Sequence, residues 1–83
     1  MLGLRWMVDW YQEARRILRA ELARRDVGYK QLAIMLQGIG VSETERSIAN
    51  KLSRGSFSFA FFLQVLKAIG RTEVNIDVRD IGK

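Results

Sequence analysis

The chain has 83 residues, which makes one domain with a small core, since a chain this short buries only roughly 60–65% of its unfolded surface. It contains no cysteine and no histidine, which excludes disulfides, thiol nucleophiles, imidazole bases and nearly all zinc sites. Lysine and arginine number 14 against 9 acids, giving a net charge of +5 and a pI near 10.2, a balance that favours a polyanionic partner.

The opening MLGLRWMVDW is apolar in flavour but carries Arg5 and Asp9 and no small-residue cleavage site, so it does not read as a signal peptide. No apolar run reaches the roughly 18 residues of a membrane span. The expected location is the cytoplasm. From Asp9 to Arg25 the pattern is helical: Trp10, Ala14, Ile17, Leu18 and Leu22 make one stripe, with Arg15, Arg16, Arg19 and Glu21 mostly off it. Asp9 is placed to cap this helix, and Glu13 sits near its positive end. Asp26-Val27-Gly28 breaks the pattern.

The stretch from Gly28 to Gly55 organises the rest. A short helix is expected over Tyr29–Gln37, with Leu32, Ala33 and Leu36 on one face. Gly38 and Gly40 end it. Ser42 followed by Glu45 has capping-box spacing, so a second helix is expected to start near Ser42 and run to Arg54. Only Ile48, Ala49 and Leu52 on it are apolar. A helix with a thin apolar stripe and a donor-rich face suits a DNA major groove, and equally suits solvent. Gly55 is placed to close that helix.

The next segment, FSFAFFLQVLKAIG, is strongly apolar. Phe59, Phe62, Leu63, Leu66 and Ile69 form a wide stripe, flanked by Phe61 and Val65. Their helical spacing reads as core rather than as a stacking platform for single-stranded nucleic acid. Ser56 or Ser58 caps this helix and Gly70 ends it. Thr72 to Arg79 then alternates polar and apolar residues, the period of a half-buried strand. A lone strand is unstable. It would pair either with the N-terminal alternation of Leu2, Leu4 and Trp6, or with its own copy in a two-fold dimer.

These residues carry a resemblance. Leu32-Ala33, Gly40-Val41-Ser42, Leu52-Ser53-Arg54-Gly55 and Ala68-Ile69-Gly70 are similar to the Cro/repressor-type (XRE-like) helix-turn-helix family. ELARR, ETERSIANKLSRGSF and the helix ending in AIG resemble, more narrowly, a small bacterial family of uncharacterised helix-turn-helix proteins. The resemblance spans roughly residues 9–70. The turn glycine comes later than in the usual pattern, and Tyr29 stands where glutamine is usual. The resemblance implies a mainly α, four- to five-helix lambda-repressor-like domain with its helix-turn-helix core at 9–70; the alternation beyond it adds a short terminal β-strand at 72–79, all within a single domain over 1–83.

The function expected on this basis is sequence-specific binding of double-stranded DNA by a bacterial transcriptional regulator, nucleoid-associated and homodimeric through the terminal strand. Thr44, Arg46, Ser47, Asn50 and Lys51 are the candidate base contacts, with Arg46 suited to guanine and Asn50 to adenine. Tyr29, Lys30 and Arg54 are the candidate phosphate contacts, with Lys51 able to serve there too. Glu43 or Glu45 would accept from cytosine, or Glu45 would serve the cap. No cofactor, metal or enzymatic activity is expected. The competing reading is a helix-turn-helix protein-interaction module, separable by salt dependence.

Overall fold

The computed structural model describes residues 8–81. They form four helices: α1 (Trp10–Arg24), α2 (Tyr29–Gln37), α3 (Glu45–Arg54) and α4 (Phe59–Ala68). Three of the four starts are capped by the side chain before them, and α2, which follows Gly28, is not. The Asp9 carboxylate accepts from Gln12 N at 3.0 Å, and the Ser58 hydroxyl accepts from Phe61 N at 3.0 Å, which satisfies amides that have no partner within the helix. Each end is a left-handed residue: Asp26, Gly40, Gly55 and Gly70 all have positive φ. After α1, α2 and α4 the amide of the next residue reaches back across the turn, as in Val27 N to Leu22 O, Val41 N to Leu36 O and Arg71 N to Leu66 O. This is the closing bond of a Schellman motif.

Helix α3 packs on α1 and α2, and α2 also packs on α4. Leu18, Leu32, Leu36, Ile48, Leu52 and Val65 are completely buried, with Leu22, Val27, Phe61, Phe62, Leu66 and Ile69 closing the core around them. Burial of one such side chain stabilises by roughly 1.5–3 kcal/mol, so Ile48 and Leu52 are the main apolar anchors of α3. The stripe of α4 is rotated from the expected one. Phe61 and Val65 are inside, whereas Phe59 is 70% exposed and Leu63 49% exposed. Trp10, expected in the α1 stripe, is also exposed.

The expected strand over 72–79 is absent: the described residues contain no strand at all, and the helices number four. A ladder needs a partner backbone, and no hydrogen bond of this kind reaches Thr72–Arg79. The alternating apolar side chains are met unevenly, with Ile76 40% and Val78 60% exposed. Val74 packs against the core, and Ile76 lies in a groove beside Ala14, Ile17, Phe59 and Phe62. The tail folds back along α1, tied by Arg71 Nε at 2.9 Å from Glu21 Oε1. These two buried atoms are close but not aligned as a hydrogen bond, so charge is what holds them. Leu2, Leu4 and Trp6, the expected partners of the strand, lie outside the described residues, and the strand-mediated dimer loses the element it required.

Candidate functional site

Helix α3 begins two residues later than Ser42–Glu45 spacing predicts. Its N-cap is Thr44, whose hydroxyl accepts from Ser47 N at 3.0 Å, while Ser47 Oγ accepts from Thr44 N at 2.9 Å. The capping box is therefore Thr44–Ser47, and Glu45 takes no part in it. The shift has a physical reason. Both pairs have capping spacing, but starting at Thr44 also lets Glu43 fold inward to meet Ser47 and Lys51. The Ser47 hydroxyl donates to Glu43 Oε1 at 2.6 Å, and the Lys51 ammonium pairs with Glu43 Oε2. Lys51 Nζ also stands 4.7 Å from the centre of the Phe61 ring in α4, a cation–π geometry.

Burial pushes the Glu43 carboxyl up, but the hydrogen bonds from Lys51 and Ser47 and the lysine charge outweigh it, leaving the group below its ordinary value. Glu43 is thus an anion at neutral pH, satisfied within the fold, and it does not face outward as a cytosine acceptor.

The candidate base contacts divide into two sets. Thr44, Ser47 and Lys51 are gathered around the cap and Glu43. Arg46 and Asn50 are exposed, stand one turn apart, and have no hydrogen-bond or ion partner among the described residues. Of the candidate phosphate contacts, Lys30 and Arg54 are exposed and Tyr29 is half-buried against the core. Lys30 and Tyr29 open α2, while Arg54 closes α3; among the described residues no side-chain hydrogen bond joins any of them to Thr44, Ser47 or Lys51.

Two functional features escaped the sequence reading. One is Glu43 as the hub of the α3 N-terminus; its spacing to Ser47 and Lys51, four and eight residues on, was the available signal. The other is Arg15, whose guanidinium donates to Ser53 O at 2.6 Å. That bond places a cation at the negative end of α3, and nothing in the local sequence marks it. Among the described residues no cluster of acidic side chains is arranged to hold a metal ion, and no helix is long and apolar enough to cross a membrane.

Fold and site together define a small all-helical domain that seats one helix by a narrow apolar edge and leaves the opposite edge open. The chain belongs to the family described as a domain of unknown function, DUF6471, which matches residues 10–74. Neither a curated protein nor a solved structure matches it.

Proposed function

We propose that this chain binds double-stranded DNA sequence-specifically, with α3 in the major groove, as a bacterial transcriptional regulator working at the nucleoid in the cytoplasm. The observation that carries the reading is the outward edge of α3. Arg46 and Asn50 are exposed and unengaged there, while Ile48 and Leu52 anchor the same helix in the core. A guanidinium matches the two acceptors of guanine, and a carboxamide matches the donor and acceptor of adenine. Lys30 near the start of α2 and Arg54 at the end of α3, both exposed cations, would grip phosphates and set the register. Thr44, Ser47 and Lys51 serve this reading through the orientation of α3.

Fluorescence anisotropy across a salt series tests it. Each neutralised phosphate contributes a slope of about 0.9 in log affinity against log salt, so the account expects a steep, linear fall. Duplex binding that is absent, or indifferent to salt, would sink it.

One observation favours a second reading, a protein-interaction module. Phe57, Phe59, Phe62, Ile17, Ala14 and Ile76 line an open apolar groove of about 250 Å³. Association through that groove would persist at high salt.

A further inference from the structure

Four side chains link the entrance of α3 to α4. Glu43 precedes the helix, takes the Ser47 hydroxyl at 2.6 Å and pairs with Lys51. Ser47 closes the capping box with Thr44. Lys51 lies over Phe61, which is buried in α4 and packs on Phe57 with ring centres 5.9 Å apart. Lysine is a flexible cation that would otherwise swing to any phosphate near α3. Here it is held from both sides, by a carboxylate and by an aromatic face.

We infer that Glu43 is a positioning residue: it retains Lys51 and Ser47 against α4, so that α3 presents Arg46 and Asn50 as its reading pair and withholds a sequence-blind cation. The inference rests on the DNA-binding reading and deepens it by assigning Lys51 to the scaffold instead of the interface. Discrimination improves when sequence-independent phosphate grip is limited, because that grip strengthens binding to every duplex alike. A carboxylate beside a DNA-reading helix is otherwise unfavourable; pairing it internally removes most of that repulsion.

The test compares wild type with E43Q, K51Q and the double variant on one selected duplex and on random duplex, over a salt series, with melting curves to establish folding. Freed by E43Q, Lys51 joins the phosphate contacts, so the salt slope steepens by about one. Random-duplex affinity rises and the specific-to-random ratio falls. In the double variant the slope returns to the wild-type value, and K51Q alone leaves it unchanged. A K51Q slope shallower by about one would mean that Lys51 already touches phosphate, which overturns the inference; so would an E43Q protein with unaltered slope and ratio. A merely structural role would weaken both duplexes together and leave their ratio intact.

Amide hydrogen exchange without DNA supplies an independent readout. E43Q is expected to speed exchange at Ser47 and Ile48 while leaving Phe62, at the start of α4, unchanged. Equal exchange at all three contradicts the strut. If wild type binds no duplex, the DNA reading fails while the exchange result still decides whether the strut exists. If E43Q does not fold, the K51Q slope decides.

Discussion

Asp26 has a φ of 55°, in the left-handed region that costs a side chain about 1–2 kcal/mol. It stands just past the C-cap of α1, and Gly40 and Gly70 take the matching place in the turns that close α2 and α4. Asp26→Gly should therefore stabilise the protein by about 1 kcal/mol, read as a higher urea midpoint at an unchanged m-value. Arg46 and Asn50 belong to the same scale. Their residue types and the exposed edge were both legible in the sequence, because Ile48 and Leu52 fix which side of α3 turns inward. The engagement of Lys51 was legible only in part: its spacing from Glu43 marks the ion pair, but its place over Phe61, ten residues further on and in another helix, follows from no local pattern.

At the scale of elements, the four helices could be read from caps and closing residues. The boundaries of α2 came through intact because Gly28 and Gly38 bracket a clean apolar period. The start of α3 did not, because Ser42–Glu45 and Thr44–Ser47 compete for one cap, and the Thr44 start is the one that leaves Glu43 free to meet Ser47 and Lys51. The rotation of α4 was hidden for another reason: with four phenylalanines in FSFAFF, several stripes fit, and only packing against α2 selects Phe61 and Val65. Gly55 shows how tightly the elements meet. It has a φ of 70°, and a Cβ there would fall 2.7 Å from the Tyr11 carbonyl carbon and closer still to its oxygen. Both are backbone atoms, so α1 itself would have to move. Gly40 has similar φ but open space around it. Gly40→Ala should thus cost only the roughly 1–2 kcal/mol of left-handed strain, and Gly55→Ala clearly more, measured side by side by chemical denaturation.

Across the whole molecule, the tail and α1 are joined through Glu21, which is 2% exposed and pairs with Arg24 and Arg71. Removing one partner of a buried pair is destabilising because the remaining charge is left short of compensation. With Arg24 still present, Arg71→Gln should lower stability by about 1–3 kcal/mol and increase proteolysis of residues 72–81. The alternation of Thr72–Arg79 predicts a strand that does not form, because a two-residue period shows which side chains share a face but supplies no partner backbone: Val74 docks on the core while Val78 stays exposed. Among the described residues, the edge of α3 that carries Arg46 and Asn50, on which the proposal rests, stays exposed. The most direct measurement is selection of bound sites from a pool of random duplexes, run in parallel with wild type and Arg46→Ala. The account predicts an enriched motif whose guanine preference at one position disappears in the variant, with a loss of about 1–3 kcal/mol on the wild-type site. A pool that stays unenriched, or a motif recovered unchanged with Arg46→Ala, would contradict it.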